Sequence, residues 1–390
     1  MTGPSKLAGV AIVCALALAW PAQGQDSVGE PFELVRSLQS LQDQIARGSA
    51  RAHANQRVLI GRIAEQFDAV DPERWKDPKN ARAAVLFVLN GGNVRALQKV
   101  IGSGGSLELD EKLLKGVLAY GEGRQEEALQ MLGDIEVRSL HASLAGHVAY
   151  VQGELTEKKQ PAQALIHFDD AGLLAPGTII EEAALRRQIT LLAATADVDR
   201  FEMLAARYLR RFPNSVYAGG FRQKFALAFA ANTNSADAER LARLTSMLGG
   251  VGAAERGEVY LTIAREALVK GKVDLARLAA SNAVALAKED SDEKERARLY
   301  EGAALIVTDD FDRGIEVLSA MERSKLGESE RVLLDAALSI AGQVRRMPAE
   351  PEVDSSPPGD NAKGTDPDQI LERAQKALAR VDQMLSEQGK

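Results

Sequence analysis

Apolar residues recur at helical spacing along almost the whole chain, and this periodicity limits the possible folds more than any other feature. The first apolar stripe steps by four, three and four residues: Leu34, Leu38, Leu41 and Ile45. This spacing places the side chains on one face of a helix. Segments with the alternating pattern of a half-buried strand are essentially missing. We therefore predict an all-α protein whose helices pack on one another.

Small residues recur at positions where the two helices of a hairpin would cross. Four segments share this pattern: Gly116, Tyr120, Gly123, Ala128 and Leu132; Gly146, Ala149, Gly153, Ala164, Phe168, Ala171 and Pro176; Ala264, Ala267, Gly271, Ala276, Ala280 and Ala283; and Gly302, Leu305, Asp309, Gly314 and Leu318. These offsets are close to those of a tetratricopeptide unit. We therefore predict an α-solenoid of degenerate tetratricopeptide-like hairpins over 111–346, after an N-terminal helical region over 25–110. Chance similarity among Ala-rich hairpins is the alternative.

Residues 1–24 carry the features of a secretory signal peptide. Lys6 gives a small positive region, an apolar stretch runs from Leu7 to Trp20, and small residues precede a cleavage position after Gly24. The apolar stretch is too short for a comfortable membrane span of about 20 residues. We therefore predict an exported protein, with a retained N-terminal anchor as the alternative.

Composition excludes several classes of function. The only cysteine, Cys14, lies in the predicted signal peptide, so the mature chain offers no thiol nucleophile and no thiolate metal ligand. Removing residues 1–24 removes one lysine and no acid, which leaves 47 basic residues, 55 acidic residues and a net charge of −8. Nucleic-acid binding requires a basic footprint, and this composition does not supply one.

The sequence patterns of common enzymes and metal sites are also missing. His141 and His147 are six residues apart, the wrong interval for one helical face. The chain has no nucleophile elbow, P-loop or HExxH motif. The acidic stretch at 309–312 lacks the glycine and glutamate positions of an EF-hand loop. We therefore predict a protein that is not an enzyme, needs no cofactor and no small-molecule substrate, and uses its helical array to bind a peptide or protein face.

The segment WKDPKNARAAVLFVLNGGN, residues 75–93, ends on two glycines between asparagines. Asp77 suits an N-cap and Pro78 suits the first helical position. The glycines follow this helix, whereas a phosphate-binding turn needs them before a helix N-terminus. We therefore predict that they end the helix. Trp75, just before the cap, is predicted to be a packing anchor or a partner contact.

The C-terminal region changes character. Residues 347–366 are predicted to form a flexible acidic linker rich in proline and serine. An amphipathic helix is predicted over 367–388, because its apolar residues step by three, four, three and four: Leu371, Ala374, Leu378, Val381 and Leu385. We call these five residues the C-terminal seam. A seam of two heptads is too short for a solitary coiled coil. It is therefore predicted to dock on its own solenoid or on a partner, in preference to a second copy.

The order of these segments resembles that of a known family. An export signal is followed by PFELVRSLQSLQDQIARGSARAHANQRVLIGRIAEQF, by the segment 75–93, and by a body of degenerate helical repeats. This arrangement resembles the MotC family of rhizobia and related alphaproteobacteria. The likeness runs from Pro31 to about Arg346 and is strongest up to Asn93. Four residues carry it: Trp75, Asp77, Pro78 and Asn80.

The resemblance implies a non-enzymatic periplasmic protein on which flagellar rotation depends. It further implies a chaperone that supports the folding or stability of the stator protein MotB by binding its periplasmic part. The residues alone leave another function open: a periplasmic tetratricopeptide-like adaptor in envelope or cell-wall assembly, since FPNSVYA at 212–218 is a phrase common in such proteins. The residues predicted to bind a partner are Trp75, Leu371, Leu378 and Leu385.

Overall fold

The computed structural model describes residues 29–103, 109–195, 197–233 and 238–346. Within these ranges the regular structure consists of helices, seventeen of them α-helices. They are α1 Pro31–Ala46, α2 Ala50–Asp68, α3 Pro78–Leu89, α4 Arg95–Gly102, α5 Glu111–Gly121, α6 Gln125–Leu132, α7 Ala142–Thr156, α8 Pro161–Leu174, α9 Ile179–Leu192, α10 Val198–Arg211, α11 Ala218–Asn232, α12 Ala238–Met247, α13 Ala253–Val269, α14 Val273–Leu286, α15 Asp292–Leu305, α16 Phe311–Ser319 and α17 Glu328–Arg346. The predicted signal peptide, acidic linker and C-terminal helix lie outside the described residues.

Consecutive helices pack as hairpins, and the hairpins stack. Helices α5 and α6, α7 and α8, α13 and α14, and α15 and α16 contact each other pairwise. The first helices of neighbouring hairpins also pack together, α11 against α13 and α13 against α15. The prediction of an all-α array of helical hairpins is confirmed.

Glycine brings the two helices of a hairpin close together at the predicted crossings. A Cβ atom added to Gly116 of α5 would lie 2.6 Å from Cδ2 of Leu132 on α6. One added to Gly153 of α7 would lie 2.5 Å from Cε1 of Phe168 on α8. Since interiors are close-packed and these neighbours are fully buried, a larger residue would force the helices apart.

We expect Gly153→Ala to destabilise the fold by about 1–3 kcal/mol, because its methyl group would overlap the buried ring of Phe168. Gly61→Ala is the matched control: Gly61 is also within a helix, but nothing lies within 4 Å of an added Cβ. Alanine there should stabilise α2 by up to about 1 kcal/mol. Urea unfolding of both variants measures the difference, and equal behaviour would contradict the close crossing.

Helix α3 accounts for the segment 75–93. The Asp77 carboxylate accepts a hydrogen bond from the Lys79 backbone N–H at 2.8 Å and caps the helix. At the other end Gly91 has φ +88°, and the Gly92 N–H donates to the Phe87 carbonyl at 2.8 Å. This is a Schellman motif, in which glycine supplies the left-handed residue. The prediction that the glycines end a helix is confirmed.

The hydrophobic core consists of two stretches that meet near α9. One spans α1 to α9 and includes Trp75, and the other spans α8 to α17. The Trp75 ring packs edge-on against Phe67 with centroids 5.3 Å apart, and Phe67 packs in the same way on Phe87 at 4.9 Å. Because Trp75 Nε1 has no hydrogen-bond partner among the described residues, packing alone holds this ring.

The N-terminal hairpin folds back onto the middle of the chain. The Val216 N–H, in the loop between α10 and α11, donates to the Ile45 carbonyl at the end of α1 at 3.2 Å. The ring of His53 on α2 lies edge-on to Tyr217 with centroids 5.6 Å apart. The array is therefore braced by a contact between segments about 170 residues apart in sequence.

Two buried carboxylates fix the loop that receives this contact. Glu182 accepts hydrogen bonds from the Tyr208 hydroxyl at 2.6 Å and from the Ser215 hydroxyl at 3.0 Å, and it pairs with Arg186. The neighbouring Glu181 pairs with arginines of α10. Burial and the charge of Glu182 raise the pKa of Tyr208, so its hydroxyl remains a donor. The carboxylates thus tie α9 to α10 and to the following loop.

We expect Glu182→Ala to destabilise the protein by about 3 kcal/mol, because it leaves two buried hydroxyls without an acceptor. Glu239→Ala is the control. Glu239 also pairs with an arginine four residues later, but its side chain is 85% exposed, so its loss should change stability little. Denaturant unfolding checks both, and a neutral Glu182→Ala would show that the buried cluster does not hold the loop.

Candidate partner-binding groove

A groove of about 860 Å³ runs along one side of the C-terminal half of the array. We call it the inner groove. Its walls include residues from α9, α11, α13, α15 and α17, in that order: Thr190; Gln223, Lys224 and Leu227; Glu258, Leu261, Thr262 and Arg265; Arg296 and Tyr300; Glu330 and Leu333.

The elements that line the groove place it on the inner side of the array. Each lining residue belongs to the first helix of a hairpin, to the residue that ends such a helix, or to α17. Within the described chain the second helices α10, α12, α14 and α16 contribute nothing to it. In stacked hairpins the first helices share one face, and that face forms the extended concave binding surface of repeat proteins.

The floor of the groove is apolar. Leu227 of α11 is 40% exposed, and around it lie small residues of the same helix, Ala228 and Ala231. Leu261 and Leu333 line the groove but are themselves buried. A concave apolar floor that keeps a leucine in contact with water suits an apolar side chain of a partner.

Charged and hydroxyl groups surround this floor. Glu258 of α13 pairs with Arg296 of α15 at 3.1 Å, which links neighbouring first helices. Lys224 makes no ion pair with any described residue, so its ammonium is available to a carboxylate. Burial, with the charge of Glu330, raises the pKa of Tyr300 to about 12. Its hydroxyl therefore stays protonated and can donate a hydrogen bond.

Comparison with known proteins decides the family. The family model described as chemotaxis protein MotC matches residues 2–390. The chain belongs to the MotC family. A curated relative, chemotaxis protein MotC of Rhizobium meliloti (strain 1021), is 33% identical over 346 residues, which cover 86% of this chain and 79% of the relative. No solved structure matches. The resemblance predicted from the N-terminal segments is confirmed.

In this MotC-family chain, only one of the four residues predicted to bind a partner lies among the described residues. Trp75 is fully buried, so in this conformation its ring is not available to a partner, and of its two predicted roles the packing one matches its position. Leu371, Leu378 and Leu385 lie outside the described residues. The sequence did not single out the inner groove, because its residues become neighbours only when five helices that are distant in sequence align.

Two histidines of the MotC-family chain, His141 and His147, have structural positions in α7. His147 is buried in α7, and burial lowers its pKa to about 4, so it is neutral. His141 accepts from the Ser143 N–H as the N-cap of the same helix. No group of three or more His, Cys, Asp or Glu in the described ranges could hold a metal ion.

Three other large apolar side chains are exposed on second helices, on what we call the outer side of the array. Met203 of α10 is 60% exposed, and Ile166 and Leu173, seven residues apart on α8, are 52% and 61% exposed. These residues belong to second helices, so they lie away from the inner groove. None of the helices in the part of the chain that the structure describes combines the length and apolar character of a membrane span.

Proposed function

We propose that this chain is a non-enzymatic motility protein of the periplasm, needed for flagellar rotation. It binds the periplasmic part of the stator protein MotB in the inner groove and supports the folding or stability of that protein. The observation that carries the proposal is the groove itself: an apolar floor with an exposed leucine, set among hydroxyl and charged groups. Membership in the MotC family, and the name chemotaxis protein given to the relative, support the link to motility.

The chemistry of the groove favours a polypeptide over a small substrate. Burial of an apolar side chain of the partner against Leu227 would favour binding. Backbone carbonyls and side-chain carboxylates of the partner can accept hydrogen bonds from Tyr300 and Lys224. A groove that crosses five helices is long enough for several such contacts in a row. These are the elements of helix or peptide recognition, and they require no reacting group.

Mass action explains how binding in the groove would produce a chaperone role. A protein that binds only the folded or assembly-competent form of its partner shifts the partner's population toward that form. When the groove is in excess and binds one form a hundredfold more tightly than the other, it shifts the free-energy difference between the two forms by about 2.7 kcal/mol. Binding energy alone would therefore be sufficient to favour the folded or assembly-competent form.

The predicted signal peptide over 1–24 supports export of the chain to the periplasm. We infer that the stacked hairpins are degenerate tetratricopeptide-like repeats, because their small-residue crossings fall at the offsets of that repeat. A periplasmic location would place the inner groove in the compartment that contains the proposed part of MotB.

We expect Leu227→Glu to weaken binding to the purified periplasmic fragment of MotB by more than about tenfold, or about 1.4 kcal/mol. A carboxylate on the groove floor would lose its hydration when a partner covers it. Met203→Glu is the matched control, since it places the same charge on an exposed apolar residue of the outer side. Titration calorimetry and thermal unfolding of both variants separate lost binding from lost fold.

The same pair of variants can be tested in cells from which the native gene is deleted. Leu227→Glu should give flagellated but paralysed cells, whereas Met203→Glu should restore swimming. Normal swimming of the deletion strain, together with envelope defects and capture of cell-wall synthases instead of MotB, would contradict the motor function and favour the envelope adaptor.

A further inference from the structure

We propose that the inner groove also binds the protein's own C-terminal segment, residues 367–388, and that a protein partner must displace this segment. The inference rests on the proposed function only where it treats the groove as the partner's site. The docking itself is argued from the groove, from the end point of α17 and from the chain that follows it.

The apolar surfaces match in kind, and the groove is long enough to hold the seam. The C-terminal seam presents Leu371, Leu378 and Leu385 at seven-residue intervals, which on a helix spans about 21 Å. The groove crosses from α9 to α17, four steps between neighbouring helices of about 8–10 Å each. The floor therefore exceeds the seam in length. The seam is too short to be stable alone, and the floor exposes Leu227 to water, so docking relieves both costs.

Residues 347–366, which we call the tether, make the chain's own segment the favoured occupant. Helix α17 forms one wall of the groove at Leu333 and ends at Arg346, about 20 Å further along its axis. The 20 residues from 347 to 366 have a root-mean-square span of about 25 Å if they behave as a flexible chain. This matches the distance back to the groove. A tether of matching length gives an effective concentration in the millimolar range, far above that of a second copy.

Charge supports the same arrangement. Residues 347–366 contain five acidic residues and one basic residue. The groove, in contrast, contains four basic and three acidic residues, although the mature chain has a net charge of −8. Lys224 at its edge has no ion pair with a described residue. An acidic tether is therefore attracted toward this side of the array.

Docking of the segment makes partner binding competitive. When only a fraction of the molecules has an open groove, the apparent affinity for a partner falls by that fraction. The docked segment also covers Leu227, which is otherwise 40% exposed. The segment thus acts as an intramolecular competitor that a tighter-binding partner displaces.

Cysteine cross-linking tests the docking in the full chain. In a Cys14→Ser background the chain has no other cysteine, so Gln223→Cys at the groove edge and Gln375→Cys beside the seam form one defined pair. We expect a short bis-maleimide to link them within one chain in high yield. The control pair, Met203→Cys with Gln375→Cys, should link poorly, because Met203 lies on the outer side. Adding Leu371→Glu, Leu378→Glu and Leu385→Glu to the first pair should abolish the link.

The outcomes separate the two proposals. Equal yields for the two cysteine pairs, or links that form only between mixed single-cysteine copies, would overturn intramolecular docking. If docking is correct, the triple glutamate variant should bind the MotB periplasmic fragment at least about threefold more tightly than the native chain. A specific intramolecular link combined with unchanged MotB binding in the Leu227→Glu variant would instead overturn the groove as the MotB site while leaving the docking intact.

Discussion

In three hairpins of this protein, a glycine on the first helix lets the second helix pack directly against its backbone. The crossings at Gly116, Gly153 and Gly302 place the opposite side chain, Leu132, Phe168 or Leu318, within 2.5–2.9 Å of the position where a Cβ would be. Such close packing fixes the two helices of a hairpin against each other, because the backbones have no room to slide. The hairpins that these contacts shape are the units that stack along the array.

Stacking alone leaves an open array, and the chain braces it at one point. The end of α1 hydrogen-bonds to the loop after α10, and that loop is held by the buried carboxylates of Glu181 and Glu182. Desolvating two carboxylates is costly unless every oxygen is paired, and here arginines, hydroxyls and a backbone N–H supply the partners. The carboxylates that hold the braced loop belong to α9, a helix that also lines the groove at its other end.

In the two proposals, the chain's own seam and an external partner compete for the inner groove, because the same apolar floor would recognise both. An exposed leucine at the bottom of a concave surface is costly in water and favourable once covered. The groove would therefore be occupied both in the free protein, by the seam, and in the complex, by the partner. This competition would set the affinity for a partner through the population of molecules with an open groove.

The sequence by itself determined much of this protein. It predicted the helical class, the glycine crossings, and the cap and C-terminal glycines of α3, because local spacing and backbone conformation depend on neighbours within a few residues. The MotC family came from the resemblance of its N-terminal segments to that family. Only the tertiary structure decided that Trp75 packs in the core, that Ile45 meets Val216, and that five helices together form the inner groove. These features depend on how successive hairpins rotate against one another, and no short stretch of sequence encodes that rotation.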